Sequence, residues 1–177
     1  MATGCEREPL PLLCPDLQPG DLVLSEVRGN QSGGDKYDQW LELYNASGST
    51  IALEGVHINM IQLDGDGPQD ITIRSPELTV EAGDYVVLGR YGWLDAVYRQ
   101  DYGYRSDLDS NLHQDAAVTI SSCGTVIDQA VYKDLPSAGT RIVDGASVPD
   151  ASRNDLDSPA WCIDPIGTPG AANLECP

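Results

Sequence analysis

The chain has 177 residues, a length that one domain of ordinary size accommodates, and its 41% hydrophobic and 21% charged composition is typical of globular proteins. With 28 acidic and 10 basic residues its net charge is −18, and a surface of that sign repels phosphate backbones, which argues against nucleic acid as a partner. No apolar run approaches the roughly 18 residues that span a bilayer.

Residues 1–19 are predicted to form an N-terminal tether. Residues 6–19 read EREPLPLLCPDLQP, a proline-rich run typical of linkers. The preceding ATGC resembles the end of a bacterial lipoprotein signal, although Ala2 stands where such signals usually carry Leu. Cys5 is therefore the candidate for lipidation, and membrane attachment is expected through it alone. The alternative is a disordered terminus with a spare thiol.

Residues 20–177 are predicted to form a single all-β domain. Short runs rich in Val, Ile, Leu, Thr and Tyr alternate with Gly, Asp, Asn and Pro at intervals typical of a sandwich, and helical periodicity is hard to find. The predicted strands cover residues 21–28, 40–44, 50–53, 56–63, 71–74, 84–89, 117–121, 125–132 and 140–143.

Alternation within the strands indicates which side chains face the core. Leu41 and Leu43 share one face of their strand and are assigned to the core, while Trp40, Glu42 and Tyr44 share the other face. The sequence therefore predicts two sheets that enclose aliphatic side chains and leave the acidic residues outside in water.

Glu26 conflicts with this pattern, because it shares the parity of Leu22 and Leu24. An unpaired buried carboxylate is costly, so Glu26 must be hydrogen-bonded in the core or lie at the end of the sheet. We predict a structural role for Glu26, with backbone N–H groups of a nearby loop, Arg28 or Arg141 as its partner.

The NASGS stretch, residues 45–49, is predicted to be a turn that begins at Asn45 and links two strands. Trp40 and Tyr44 precede it on the face opposite the leucines, and we expect them to cover the sheet beneath a neighbouring loop. The alternative is that both rings form an interaction surface.

The segment from Arg90 to Gln114 is the least strand-like part of the domain. A connection this long is uncommon in a compact domain and is often functional. Its aromatic residues form a candidate binding surface, or else pack the segment onto the sandwich: Tyr91, Trp93, Tyr98, Tyr102 and Tyr104.

Three oxygen-rich clusters are candidate calcium sites, because calcium prefers carboxylate and amide oxygens. The alternative is turn chemistry, in which Asp side chains bond nearby backbone. No cofactor is required, and calcium is the candidate ion. The clusters are Asp64, Asp66 and Asp70; Asp107, Asp109 and Asn111; and Asn154, Asp155 and Asp157.

Nucleophilic catalysis has little support in the sequence. A G-x-S-x-G elbow is lacking, and the two histidines stand apart from any recognisable Ser or Cys context. A pair of catalytic carboxylates, as in glycosidases, is an alternative that the sequence does not exclude. However, 28 acidic residues produce some close pairs by chance. We therefore expect no enzymatic activity.

Several segments resemble the lamin-tail domain as found in secreted bacterial proteins. The most specific are the strand with Glu26, the WLELYN strand at residues 40–45 and the closing TPGAAN at residues 168–173. The resemblance covers nearly everything after residue 20 and implies an immunoglobulin-like β-sandwich. It assigns no catalytic residues. The chain departs from the family at Gln39, where bacterial members often carry an acidic residue, and in its long Tyr-rich segment.

The cysteines indicate disulfides rather than a zinc site, because no C-x-x-C pair occurs. Four of the cysteines can form two bridges in three ways, and such bridges imply an oxidising compartment. With the lamin-tail resemblance, we expect Cys14 to pair with Cys176, since they flank the first strand and the last motif. Cys123 would then pair with Cys162.

The leading hypothesis is a non-catalytic extracytoplasmic binding or scaffolding module, at the bacterial cell surface, in the periplasm or secreted. Its loops would contact a protein, glycan or matrix ligand, with calcium rigidifying a loop. The alternatives are a small metal-assisted hydrolase that uses surface carboxylates and a self-assembling structural envelope protein.

Overall fold

The computed structural model describes residues 14–33, 37–91, 98–155 and 161–177. These residues form an all-β structure, and none of them belongs to a helix with the length and apolar character of a membrane span. The strands, in chain order, are β1 Leu22–Arg28, β2 Trp40–Asn45, β3 Ile51–Ala52, β4 Val56–Ile61, β5 Gln69–Thr72, β6 Thr79–Val80, β7 Tyr85–Gly89, β8 Tyr102–Gly103, β9 Ala116–Ser122, β10 Thr125–Tyr132, β11 Thr140–Val143 and β12 Trp161–Asp164.

The strands form two larger sheets and one small one, an arrangement consistent with a β-sandwich. The six-stranded sheet has the order β12-β11-β1-β2-β7-β8, and the four-stranded sheet has the order β10-β9-β4-β5. A third sheet pairs β3 with β6. The strands pair antiparallel, except that β8 runs parallel to β7.

The two larger sheets share one hydrophobic core. Leu41 and Leu43 of β2 and Ile58 of β4 are fully buried in the same cluster, with Val118 of β9 beside them. The assignment of Leu41 and Leu43 to the core is confirmed. Aliphatic side chains at alternate positions therefore hold the sheets together, as the period of two along each strand requires.

The predicted strands match the observed ones closely where alternation is strong. The bounds of β10 and β11 agree with the prediction, and those of β1 and β2 differ by one residue. β4 ends at Ile61, because a turn follows in which the Gly65 N–H donates to the Gln62 carbonyl at 2.8 Å. The predicted strand 71–74 overlaps the observed one only in part, since β5 spans Gln69–Thr72 and begins where Gln69 pairs with Met60.

Residues 14–19, the end of the predicted tether, lie against the sheets. Leu17 belongs to the hydrophobic core, and the Ser122 hydroxyl donates to the Pro15 carbonyl at 2.8 Å. Gly20 N–H donates to the carbonyl of Ile127 in β10 at 2.8 Å. The lipidation candidate Cys5 lies outside the described residues.

Two disulfides are present, and both predicted pairings are wrong. Cys14 pairs with Cys123 across 5.6 Å between Cα atoms, because the N-terminal residues run past the turn between β9 and β10. Cys162 pairs with Cys176 across 5.9 Å, because the end of the chain returns beside β11 and β12. Both separations are ordinary for disulfides, and such bridges are typical of an oxidising compartment.

Candidate functional site

A pair of buried glutamates lies on the face of the six-stranded sheet that points away from the hydrophobic core. Leu24 of β1 lies opposite Leu43 of β2, but the register then shifts, and Glu26 lies opposite Glu42. The extra residue in β1 is a β-bulge, which reverses the parity of the strand. The prediction that Glu26 shares a face with Leu24 is therefore wrong.

Glu26 is fully buried and hydrogen-bonded through both carboxylate oxygens. Its Oε1 accepts hydrogen bonds from the N–H and the hydroxyl of Thr168, both at 2.8 Å. Its Oε2 accepts from the indole Nε1 of Trp40 at 3.2 Å. A backbone N–H group of a loop is one of the partners that we predicted for this carboxylate.

Glu42 is also fully buried, which the sequence did not predict. Its Oε1 accepts a hydrogen bond from the Ser25 hydroxyl at 2.7 Å, and its Oε2 accepts from the N–H of Gly170 at 2.6 Å. The expectation that the acidic residues lie outside in water is wrong for Glu42, whereas for Glu26 a hydrogen-bonded position was one of the two outcomes that we predicted. Loop donors replace the water that each would otherwise bind.

The backbone donors to both glutamates come from the closing segment, residues 167–173 with the sequence GTPGAAN. Thr168 reaches Glu26 and Gly170 reaches Glu42, while the Asn173 side-chain amide donates to the carbonyls of Ser25 at 3.1 Å and Val143 at 2.8 Å. The closing segment therefore covers the outer face of β1 and β2 and bridges β1 to β11.

Burial raises the pKa of Glu42 well above its usual value, and the charge of Glu26 raises it further, while the Gly170 amide opposes the shift. Burial also raises the pKa of Glu26, against the hydrogen bonds from Thr168 and Trp40. Because every oxygen of the two carboxylates already accepts a hydrogen bond within the chain, the arrangement holds the closing segment in place.

Trp40 and Asn45, at the two ends of β2, are both fully buried. The Arg28 guanidinium lies over the Trp40 ring, 5.1 Å from its centroid. The Asn45 amide donates to the carbonyls of Ser49 at 2.9 Å and Val80 at 3.0 Å, and its Oδ1 accepts from the N–H of Ser47 at 2.9 Å. Asn45 thus forms the corner that joins β2 to the small sheet.

The second candidate calcium cluster is engaged by arginines and by a glutamine. Both Asp107 oxygens accept hydrogen bonds from Arg74, and Asp109 Oδ1 accepts from Arg90 at 3.2 Å and Arg105 at 3.0 Å. Asn111 accepts from Gln39 at 2.9 Å. The arginine contacts lower the pKa of Asp107, against the opposing effect of burial, and also that of Asp109.

The first cluster is spread over a turn and a strand. Asp64 Oδ1 accepts the N–H of Asp66 at 3.0 Å, which is an Asx-type turn contact. Asp70 lies in β5; its Oδ1 accepts a hydrogen bond from the Asn59 side chain at 2.8 Å and lies 3.0 Å from His57 Nε2.

The third cluster is divided between a buried and an exposed residue. Asn154 is fully buried, Asp155 is exposed, and Asp157 lies outside the described residues. Across the part of the chain that the structure describes, no three His, Cys, Asp or Glu side chains are grouped as metal ligands would be. Calcium binding by these clusters stays a prediction.

The tyrosines of the segment 90–114 fall into two groups. Tyr104 is fully buried in the core and Tyr102 is half-buried, with its hydroxyl 2.9 Å from the carbonyl of Thr72. Tyr98 is also half-buried and packs edge-on against Trp40, whereas Tyr91 is 42% exposed. Trp93 lies outside the described residues.

Tyr91 is flanked by two arginines. The guanidinium carbons of Arg90 and Arg105 lie 5.6 and 5.0 Å from the centroid of its ring, within the range of cation–π attraction. Asp109 bonds both guanidinium groups and so fixes their positions. We call these four residues the Tyr91 cluster.

Gln39 and Asp128 are further organising residues that the sequence did not reveal. Gln39 is buried and accepts the N–H of Leu112 at 2.8 Å, which attaches the long segment to β2. Asp128 is buried in β10 and accepts the N–H of Leu24 in β1 at 2.8 Å, so it joins the two larger sheets. Gln39 lies between two predicted strands, where no pattern indicates burial. Asp128 lies inside a predicted strand, where alternation alone does not show that a carboxylate is buried.

No protein-family model matches this chain, and no curated protein is significantly similar to it. The described residues define the chain as an all-β protein with two disulfides, a buried glutamate pair and the exposed Tyr91 cluster. Its function is therefore argued from these features.

Proposed function

We propose that the chain is a non-catalytic binding module of an extracytoplasmic protein, built on an immunoglobulin-like, lamin-tail-like sandwich. The three segments that carry the lamin-tail resemblance most specifically meet in one hydrogen-bonded network: the β1 strand with Glu26, the WLELYN strand and the closing segment. These segments are far apart in sequence and yet are hydrogen-bonded to one another, so the residues that carry the resemblance form one structural unit.

The two disulfides support an extracytoplasmic location, since such bridges persist in oxidising compartments. On this proposal the protein is secreted, periplasmic or displayed at a bacterial cell surface, with Cys5 as its point of attachment where it is lipidated.

The Tyr91 cluster is the observation that carries the binding role. Tyrosine and arginine dominate the energetics of protein interfaces, and the Tyr91 ring is exposed and held between two guanidinium groups. In a chain of net charge −18, this cluster concentrates positive charge around an aromatic ring. We infer that it contacts a protein partner with an acidic surface.

A non-catalytic role agrees with the state of the glutamate pair. Carboxylates that perform acid–base chemistry must reach a substrate, whereas these oxygens are buried and engaged by the closing segment. The glutamate pair holds the closing segment against β1 and β2 and so stabilises the fold.

The test compares two exposed apolar side chains that differ in position. Tyr91 and Leu63 are each 42% exposed, and Leu63, beyond the end of β4, lines a groove whose lining residues include no member of the Tyr91 cluster. Immobilised wild type, Tyr91→Ala, Arg105→Ala and Leu63→Ala would be exposed to extracellular proteins of the source organism and to a glycan array. We expect saturable protein binding that Tyr91→Ala and Arg105→Ala abolish and Leu63→Ala retains.

Two results would contradict the proposal. One is binding that falls equally in all three variants. The other is turnover in a panel of ester, glycoside and phosphate substrates that is lost when Asp107 and Asp109 are both changed to Asn.

A further inference from the structure

An open groove of about 570 Å³, lined by both apolar and polar residues, lies beside β10, far from the Tyr91 cluster in sequence. One wall is formed by Asp128 and its neighbours in β10, and the other by Asp150, Ser152 and Asp155. The side chains that line it offer oxygen ligands, and cysteine and histidine are not among them.

Two buried polar side chains complete the edge of β1: Asp128, which also lines the groove, and Asn154, which lies behind it. β11 pairs with β1 only from Glu26 onward, so the backbone of Leu24 faces no strand on that side. Its N–H donates to Asp128 Oδ2 at 2.8 Å, and its carbonyl accepts from Asn154 Nδ2 at 3.3 Å. Asn154 Nδ2 also donates to Asp128 Oδ2 at 2.7 Å.

These contacts leave one oxygen on each side chain without a partner. Asp128 is 3% exposed and Asn154 is fully buried, yet Asp128 Oδ1 and Asn154 Oδ1 accept no hydrogen bond. The orientation of the Asn154 amide is fixed, because both groups near its nitrogen are acceptors. The Gln129 N–H lies close enough to the Asp128 carboxylate to lower its pKa, as the Leu24 N–H does, but it does not reach hydrogen-bond geometry with Oδ1.

Buried acceptors without a hydrogen bond are uncommon in folded proteins, and an ordered water or an ion is among the partners that satisfy them. Burial raises the pKa of Asp128 to about 6, partly offset by the Leu24 and Asn154 contacts, and the charge of Asp155 raises it further. A water would bridge the two oxygens but leave this charge uncompensated. A cation satisfies the oxygens and offsets the charge at once.

We propose that this groove is a calcium site in which Asp128 Oδ1, Asn154 Oδ1 and the Asp155 carboxylate supply protein ligands. Main-chain carbonyls and water complete the coordination, as calcium's six to eight oxygen ligands and irregular geometry allow. Zinc is disfavoured because the groove offers neither sulfur nor imidazole, and magnesium because it requires a near-octahedral arrangement. The site does not depend on the proposed partner binding.

A bound calcium would join three parts of the chain. Asp128 belongs to the four-stranded sheet, Leu24 to the six-stranded sheet, and Asn154 to the loop before β12, where the Trp161 indole donates to the Asn154 carbonyl at 2.8 Å. The ion would therefore stabilise the contact between the sheets.

The test titrates calcium chloride into chelator-treated full-length protein, followed by calorimetry and by thermal unfolding. We expect one calcium per chain and a higher unfolding temperature, with a weaker effect of magnesium at the same concentration. Asp155→Asn should weaken calcium binding roughly tenfold or more while leaving the unfolding temperature without calcium nearly unchanged. Glu77→Gln, the same charge change at an exposed position outside every candidate calcium cluster, should bind as the wild type does.

A second readout uses Trp161 as a local donor of excitation energy to bound terbium. We expect tryptophan-sensitised terbium emission that calcium displaces, that Trp161→Phe diminishes and that Glu77→Gln retains. Asp128→Asn keeps an acceptor for the Leu24 N–H and should bind calcium less tightly. The proposal is overturned by the absence of heat and thermal shift at millimolar calcium, or by equal losses in Asp155→Asn and Glu77→Gln.

Discussion

Gly167 is the glycine of the closing segment whose backbone lies against Glu26. Its φ of +88° lies in the left-handed region that glycine adopts without strain. A Cβ placed there would lie 2.9 Å from Glu26 Oε2 and 3.0 Å from the Thr140 hydroxyl. Both neighbours are themselves hydrogen-bonded, so they have little freedom to move away.

Gly167→Ala therefore should destabilise the protein more than its backbone strain alone explains. Gly65→Ala is the matched control, because Gly65 has a similar φ of +93° but a Cβ added to it would meet no atom within 4 Å. We expect roughly 1 to 2 kcal/mol for Gly65→Ala and about 2 kcal/mol more for Gly167→Ala, measured by urea unfolding. Equal losses would show that Glu26 is not held closely.

The role of Glu26 could be anticipated from the sequence, whereas its orientation could not. A carboxylate among strand residues signals a partner, and a loop N–H group was among those expected. The bulge in β1 leaves no mark in the alternation, so parity placed Glu26 on the wrong face. Glu42 was missed because an outward-facing acidic residue in a strand ordinarily remains in water.

The strands were predictable in proportion to their alternation. β10 and β11 were predicted with their observed bounds, but β6 and β8 have two residues each, too few to show a period. β12 was missed because WCID contains no alternation of apolar and polar residues. Its place is fixed by pairing with β11 and by the disulfide from Cys162.

The two disulfides close loops of very different length, with sequence separations of 109 and 14 residues. In the loop-entropy description, the longer loop restricts the unfolded chain more. Replacing Cys14 and Cys123 with Ser should therefore cost about 4 to 5 kcal/mol of unfolding free energy, and replacing Cys162 and Cys176 about 3 kcal/mol. Guanidinium unfolding of both double variants provides the measurement, and a larger loss from the shorter loop would contradict the argument.

At the scale of the whole molecule, acidic residues serve two opposite purposes. Most lie in water and give the chain its charge of −18, while Glu26, Glu42 and Asp128 are buried and organise the contacts between segments. The composition predicted the acidic, solvated surface. The second purpose depends on which loops fold back onto the sheets, a long-range property that local patterns do not encode.

The buried glutamates give the stability of the molecule a definite pH dependence. Their pKa values in the folded state lie above the ordinary value of 4.5, so folding is linked to proton uptake. Stability should therefore rise as the pH falls from neutral toward 4.5 and decline as the pH rises through the folded-state pKa values. Asp164 reinforces the shift at Glu26, whereas the Arg99 charge opposes it at Glu42.

Glu42→Gln isolates this effect, because glutamine keeps an acceptor for the Gly170 N–H and cannot ionise. Glu77→Gln removes the same charge from an exposed position and is the control. Urea unfolding with chelator present, from about pH 7.5 to about pH 5, should show stability rising on acidification in the wild type and in Glu77→Gln. In Glu42→Gln the slope should be smaller by up to about 1.4 kcal/mol per pH unit, the value for one proton, while Asp128 contributes equally to all three proteins. A wild-type slope in Glu42→Gln would mean that Glu42 remains ionised at neutral pH in the folded protein, and that the donors of the closing segment fully offset its burial.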